Sequence, residues 1–94
     1  MLVERSEILI KEGMEDEFAT LMADKAVPLL KGLPGVNAVS YGRGVENPDK
    51  FILLVEWAAM SDHIAFTKAP VFPEFRALLM PFSKGGAMEH FEMG

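Results

Sequence analysis

The sequence predicts a two-layer α+β domain in which four strands and two helical regions follow one another in the order β-α-β-β-α-β. Three observations carry this prediction. Apolar residues alternate with period two in four segments, they recur at helical spacing between these segments, and one strand is apolar on both faces. Because domains commonly span about 50 to 250 residues, we expect the 94 residues to form one domain, residues 1–94.

The N-terminal region is predicted to form a strand and then a helix. Apolar residues alternate over residues 2–11, as a strand requires. Acidic residues 15–17 then crowd the first turn of a helix, where the helix dipole favours anions, and Lys31-Gly32 supplies a cationic end and a stop. Pro28 lies inside the helical pattern and lacks a backbone N–H, so we expect a kink or a break there.

The second and third strands are expected to differ in their surroundings. Residues 36–44 form a strand whose glycines, Gly42 and Gly44, suggest an edge or a bulge. Residues 51–59 form the strongest strand, and this strand is apolar on both faces. A strand with two apolar faces must be central, with something covering each face.

The C-terminal region is predicted to contain a short helix, a second helix and a last strand. Ser61 is the expected N-cap of the short helix. Pro70 and Pro73 separate this helix from the next one, which is rich in phenylalanine and leucine and ends at Pro81. The remaining segment divides into a loop and a strand, residues 83–86 and 87–93.

This order of elements is that of the split ferredoxin-like fold, in which helices cover one face of the sheet. The outer side of the strand at residues 51–59 is apolar, and a single chain would leave it open. An exposed apolar patch of that size usually marks a partner surface. We therefore expect a homodimer that packs sheet against sheet.

The composition excludes several classes of function. The chain has no cysteine, which removes disulfide frameworks, thiolate zinc sites and cysteine nucleophiles. Its net charge of −5 argues against nucleic-acid binding, which needs a basic face. No apolar run approaches the roughly 20 residues of a membrane helix, and the N-terminus MLVERSEILI has no signal-peptide core. We expect a cytoplasmic protein with no nucleic-acid or membrane partner.

The charged residues of the first strand need an explanation if that strand is central. Glu4, Arg5, Ser6 and Glu7 would then place charge in the middle of the sheet, where unpaired charge is costly. Either this half of the strand protrudes into solvent, which is the commoner arrangement, or it lines a polar pocket.

Metal binding has little support in the sequence. The chain has two histidines, His63 and His90. His90 and Glu92 share a strand face, but two ligands do not make a metal site. We therefore expect no metal ion.

Trp57, His63 and Arg76 are the candidate catalytic residues. Trp57 ends the central strand, and its ring either packs in the core or a dimer interface or forms a flat wall for a planar ligand. His63 follows in the next helix and is either a surface histidine or a general base. Arg76 either belongs to a solvated helix face or supplies a fixed cation for an enolate, phenolate or carboxylate.

Nearly the whole chain, residues 3–93, resembles the antibiotic biosynthesis monooxygenase domain family. The resemblance rests on the run LLVEWAAMSDHIAFTKAPVFPEFRALLMPF and on the shorter motifs LPGV, NPDKF and EHFE. It implies a ferredoxin-like domain that dimerises through its sheets into a barrel. It also implies activities such as the cofactor-free oxidation of polycyclic phenols to quinones by O2, and some relatives degrade haem.

The family's functional residues carry over in part. Trp57 matches the tryptophan at the end of the third strand, whereas Leu53 stands where quinone-forming members have an asparagine. The positions that match the functional residues of the haem-degrading members are occupied by other residues: Arg5 or Ser6, Phe66 and Arg76. The resemblance therefore argues against haem degradation.

Two functional hypotheses follow. The first is a cofactor-independent monooxygenase that oxidises a small aromatic or polyketide-like molecule with O2, with Trp57 as the wall, His63 as the base and Arg76 as the anion partner. The second is a non-catalytic dimeric module of the same fold that binds a small apolar ligand. Oxygen consumption on ligand binding distinguishes the two.

Overall fold

A computed structural model describes all 94 residues of the chain. It contains four strands, four α-helices and one π-helical turn. In chain order these are β1 (Leu2–Ile10), α1 (Glu15–Leu21), a π-helical turn (Met22–Ala26), α2 (Val27–Lys31), β2 (Val36–Arg43), β3 (Lys50–Trp57), α3 (Met60–Lys68), α4 (Val71–Leu79) and β4 (Ser83–Glu92).

The four strands form one antiparallel sheet in the order β2-β3-β1-β4. The predicted split ferredoxin-like arrangement is therefore confirmed, with β3 and β1 in the centre and β2 and β4 at the edges. Burial alternates strictly along β3, where every second residue is buried. These side chains meet the helices on one face of the sheet, and they form the core together with buried helix residues: Phe51, Leu53, Val55 and Trp57 with Phe18, Met22, Ala26, Leu30, Phe66 and Phe75.

The first helical region continues past Pro28 instead of breaking there. Its π-helical turn ends just before Pro28, which occupies the first turn of α2. A proline ring clashes with the carbonyl four residues earlier in a regular α-helix, and a wider π turn is one way in which a helix accommodates such an insertion. The predicted irregularity is present as this π turn.

Two predicted boundaries in the C-terminal region are wrong. The N-cap of α3 is Ala59, and it makes no side-chain hydrogen bond, so Ser61 lies inside the helix. Pro73 lies in the first turn of α4, where a proline's missing N–H costs nothing because the first helical N–H groups have no partner within the helix.

The last strand begins at Ser83, so residues 83–86 are not a loop. They extend the pairing with β1, in which Gly86 lies opposite Ile8. A Cβ atom on Gly86 would collide with the backbone carbonyl of Glu7. Gly86 thus permits a close approach of the two strands.

The sheet face opposite the helices is uncovered in the single chain. It carries a concave, largely apolar region that includes Val3, Leu54, Phe91 and Met93. Phe91 and Met93 are 42% and 50% exposed, respectively. The predicted open apolar face is present. No helix of the chain has the length and apolar character needed to cross a membrane.

Candidate active site

A cavity of about 400 Å³ lies between the helix-facing side of β1 and β4 and the helices α3 and α4. Such a volume is typical of sites for small organic ligands. Apolar side chains make most of its lining, and the aromatic ones come from α3 and α4: Phe66, Phe72 and Phe75. The polar exceptions include Glu4, Ser6, His63 and Arg76, which give the cavity its chemistry.

Glu4 is the third residue of the central strand β1, its side chain lies on the helix-facing side, and the residue is only 7% exposed. Ser6 Oγ donates a hydrogen bond of 2.7 Å to Glu4 Oε2, and Trp57 Nε1 donates one of 3.0 Å to Oε1. Glu4 therefore lies in a polar patch of the cavity wall, and for this residue the commoner expectation of a solvated side chain is wrong. Two hydrogen bonds hold this carboxylate in one orientation.

Two histidines from different elements converge on Glu4. His63 Nδ1, from the first turn of α3, lies 3.1 Å from Glu4 Oε1, and His90 Nε2, from β4, lies 3.7 Å from the same oxygen. The register of the sheet places His90 directly opposite Glu4. The imidazole rings meet edge to face with centroids 4.4 Å apart. We call Glu4, His63 and His90 the histidine cluster.

Neither of the two inward-facing imidazole nitrogens, His63 Nδ1 and His90 Nε2, has a hydrogen-bond partner, although both atoms are buried. His63 Nδ1 is close enough to Glu4 Oε1 for an ion pair, but the two atoms lack the alignment of a hydrogen bond. Unpartnered buried polar atoms are uncommon in folded proteins and mark places where a ligand or a functional constraint is expected.

Burial lowers the pKa of His63 from its ordinary value of 6.5, because the protonated ring loses its hydration. The Glu4 carboxylate opposes this shift by attracting the imidazolium, and His90 reinforces it. His63 is therefore held mainly as neutral imidazole at neutral pH, which is the form that can accept a proton.

Trp57 packs in the core, which is one of the two arrangements that the sequence leaves open for its ring, and it does not form a flat wall of the cavity. Its ring is 2% exposed and is not part of the cavity lining. It packs edge to face against His63, with ring centroids 5.4 Å apart, and lies 6.0 Å from the ring of Phe66. Trp57 contacts the site through its hydrogen bond to Glu4, and the aromatic surface of the cavity comes from the helices.

Arg76 lies on α4 and lines the same cavity as His63, so the structure brings these two predicted residues together. It takes part in no ion pair. Its guanidinium carbon is 6.0 Å from the centroid of the Phe72 ring, and Nη2 lies 3.9 Å from Met80 Sδ. An unpaired cation at the edge of an aromatic cavity is suited to bind an anionic ligand group.

Glu4 and His90 are the site residues that the sequence analysis missed. The signal for Glu4 is its position in β1, where it shares the buried face with Leu2 and Ile8. His90 shares a strand face with Glu92 in the sequence pattern, but the Glu92 carboxylate lies near the N-terminal amine, at 3.7 Å. The three potential ligand atoms of the histidine cluster lie within 4.8 Å of one another, so these residues could hold a metal ion.

Comparison with known proteins identifies the family. A sequence model of the antibiotic biosynthesis monooxygenase family matches residues 1–78. The chain belongs to this family, as its resemblance implied. It is also 34% identical over 94 residues to the uncharacterized protein YczJ of Bacillus subtilis (strain 168), and the match covers 98% of each chain.

Solved structures show the same fold. A protein from Bordetella bronchiseptica, described as belonging to the same class of monooxygenase, superposes with a TM-score of 0.89 at 27% identity, covering 99% of this chain and 96% of the other. SnoaB, a cofactor-independent oxygenase from Streptomyces nogalater, superposes with a TM-score of 0.84 at 14% identity, covering 98% of this chain and 91% of SnoaB. At that identity the likeness to SnoaB establishes the fold alone.

Proposed function

We propose that this protein is a cofactor-independent monooxygenase that oxidises a small phenolic aromatic molecule with O2 in the cavity between the sheet and helices α3 and α4. The observation that carries the proposal is the contact between His63 and Glu4 in the wall of an otherwise largely apolar cavity. Membership of the antibiotic biosynthesis monooxygenase family supports it.

The chemistry needs only a base, an apolar cavity and oxygen. A phenolate transfers an electron to O2, the two radicals combine at a ring carbon, and loss of water leaves a quinone. The balance is one phenol and one O2 giving one quinone and one water, so the substrate itself supplies the electrons. The protein must hold the substrate, remove the phenolic proton and keep bulk water from the radical pair.

His63 is the proposed base. Glu4 lies beside Nδ1, and its negative charge can stabilise the imidazolium that forms when Nε2 accepts the phenolic proton. Arg76 is the proposed partner of an anionic group on the substrate. We assign Trp57 a positioning role, because it contacts Glu4 and does not line the cavity.

A non-catalytic ligand-binding module is the second candidate function. Leu53 lines the cavity and offers no hydrogen bond to a phenol or to oxygen. The lining is apolar apart from a few side chains, which favours binding of an apolar ligand without turnover.

We further propose that two chains pair through their open sheet faces and act in the cytoplasm. The concave region around Val3, Leu54 and Phe91 has no covering element within one chain. Burying apolar area of this kind is the main driving force for association. Light scattering should give twice the mass of the chain at micromolar concentration, and the mass of one chain would contradict the dimer.

Oxygen uptake combined with Trp57 emission tests the proposed function. The purified protein is titrated in air with anthrones, naphthols, flavonols and haem while both signals are followed in one cell. We expect one of the phenolic compounds to quench Trp57 saturably and to consume oxygen, and we expect no turnover of haem. Saturable quenching with no oxygen loss across the panel would instead support the binding module.

His63→Asn is the informative variant for the base, because asparagine keeps a polar side chain but cannot accept the proton. It should lose oxygen uptake and retain ligand quenching. Glu92→Gln is the control, since Glu92 lies on β4 beside the N-terminal amine and does not line the cavity. Undiminished turnover in His63→Asn would remove His63 from the mechanism.

A further inference from the structure

The histidine cluster contains the proposed base, His63, but its residue types are also those of a metal site. Glu4, His63 and His90 come from β1, α3 and β4, respectively, and their ligand atoms face one another at the wall of the cavity. We propose that these three residues bind one divalent first-row transition-metal ion. This inference does not rest on the proposed oxidation, since it concerns what the cluster holds whether or not the protein turns over a substrate.

The separations between the ligand atoms fit an ion. An ion bound at about 2.1 Å by each of two ligands places adjacent ligand atoms about 3.0 to 3.4 Å apart, depending on whether the geometry is octahedral or tetrahedral. Glu4 Oε1 lies 3.1 Å from His63 Nδ1 and 3.7 Å from His90 Nε2. All three atoms lie within 4.8 Å of one another, so small side-chain rotations suffice to close the site.

The unpartnered nitrogens give an independent reason to expect an ion. His63 Nδ1 and His90 Nε2 are buried and neither makes a hydrogen bond. Their side chains are 8% and 16% exposed, respectively. A metal ion would accept the lone pairs of both nitrogens at once, and it would leave no buried polar atom of the cluster unpartnered.

The surroundings of Glu4 resemble the outer shell of a metal site. Trp57 and Ser6 each hold one oxygen of the carboxylate, so its orientation is set before any ion binds. Outer residues of this kind fix the ligands and contribute to affinity. Oε1 accepts one hydrogen bond from Trp57, and an acceptor oxygen of this type has a second lone pair for the ion.

The donor set selects the class of ion. Two imidazoles and one carboxylate suit Zn²⁺, Fe²⁺, Co²⁺ and Ni²⁺ better than Ca²⁺ or Mg²⁺, which prefer oxygen ligands. Three protein ligands leave further coordination positions for water or a small ligand. Glu4 and His63 also line the cavity, so the ion would lie close to it.

An ion and a phenolic proton would compete for His63. With Nδ1 on the metal, Nε2 of the same ring carries the imidazole proton and cannot accept another. Metal loading should then suppress the oxidation proposed above. If metal ions instead increased oxygen uptake, His63 could not be the base, but the proposal of a metal site would still stand. The two proposals can therefore fail separately.

The test is zinc binding by the tag-free full chain after treatment with EDTA. Isothermal titration calorimetry with Zn²⁺ should give one ion per chain. Co²⁺ should quench the emission of Trp57 saturably, because Trp57 is the single tryptophan of the chain and contacts Glu4. Glu4→Gln and His90→Asn should each weaken zinc binding by more than about 100-fold, since loss of an outer-shell partner alone costs about 10- to 100-fold. Ca²⁺ should not compete with Zn²⁺.

Two control variants test whether zinc binding depends on the histidine cluster and not on other carboxylates. Glu7→Gln lies on the same strand, and Glu92→Gln lies beside the N-terminal amine, so both should bind Zn²⁺ as the unmodified protein does. His90 is at a sheet edge, and circular dichroism will show whether His90→Asn keeps the fold. The absence of binding at 100 µM Zn²⁺, or unchanged affinity in a folded His90→Asn variant, would overturn the proposal.

Discussion

The hydrogen bond from Trp57 to Glu4 predicts how much the free energy of unfolding falls in the variant Trp57→Phe. Phenylalanine keeps an aromatic ring in the core but removes the Nε1–H group that lies 3.0 Å from Glu4 Oε1. A hydrogen bond to a charged group contributes about 1.5 to 3 kcal/mol, and the smaller ring adds about 1 kcal/mol for the void it leaves. We therefore expect the free energy of unfolding to fall by about 3 kcal/mol.

A double-mutant cycle separates these two contributions. Urea unfolding followed by far-ultraviolet circular dichroism, at one fixed protein concentration, gives the stability of the unmodified chain, Trp57→Phe, Glu4→Met, which removes both acceptor oxygens, and the double variant. The void is the same in both backgrounds, so the coupling energy reports the interaction between the two side chains. We expect a coupling of about 1.5 kcal/mol or more.

Two results would refute this reasoning. A coupling energy near zero would mean that Trp57 does not hold the Glu4 carboxylate. A loss of stability below about 1 kcal/mol for Trp57→Phe would mean that the hydrogen bond is replaced by water at no cost. Either result would remove the positioning role that we assign to Trp57.

Three further predictions concern His63, Arg76 and Leu54. Burial lowers the pKa of His63 in the folded chain below its unfolded value of 6.5, so the unfolded chain binds the proton more tightly. The free energy of unfolding should therefore fall as the pH drops below 6.5. Urea titrations should show a smaller fall for His63→Asn than for the unmodified chain. Arg76→Gln should weaken the binding of carboxylated aromatic ligands about tenfold, with little effect on neutral aromatic ligands, as measured by Trp57 quenching. Equal effects on the two kinds of ligand would contradict the role of Arg76 as the anion partner. Leu54→Arg places a charge on the open sheet face and should convert a dimer to single chains in light scattering, whereas an unchanged mass would place the interface elsewhere.

Much of the fold could be predicted from the sequence because local patterns agree with the global arrangement. The two apolar faces of β3 predict that this strand is central, the split topology places β1 in the centre as well, and the observed sheet order agrees. The start of β4 was missed because Gly85 and Gly86 are also typical of loops. Only the pairing with β1 shows that glycine is needed there for the close approach of two backbones.

The candidate site was predicted less completely, since it depends on pairing between distant segments. His63 was identified by its place near Trp57, but His90 lies 27 positions later in the chain and reaches the site through the register of β4 with β1. Glu4 stood out as a charge in a central strand, and its burial could not be decided without knowing its partners. The sequence also does not show that Trp57 packs behind Glu4 and away from the cavity.

Isotope labelling tests the central claim most directly, because it follows the oxygen atoms themselves. A phenolic substrate that quenches Trp57 is turned over under ¹⁸O2, and the product is analysed by mass spectrometry. The proposed monooxygenation predicts one labelled oxygen in the quinone, consumption of one O2 per product, and loss of both in His63→Asn. A bound ligand recovered unchanged, or a product whose new oxygen comes from water, would contradict it.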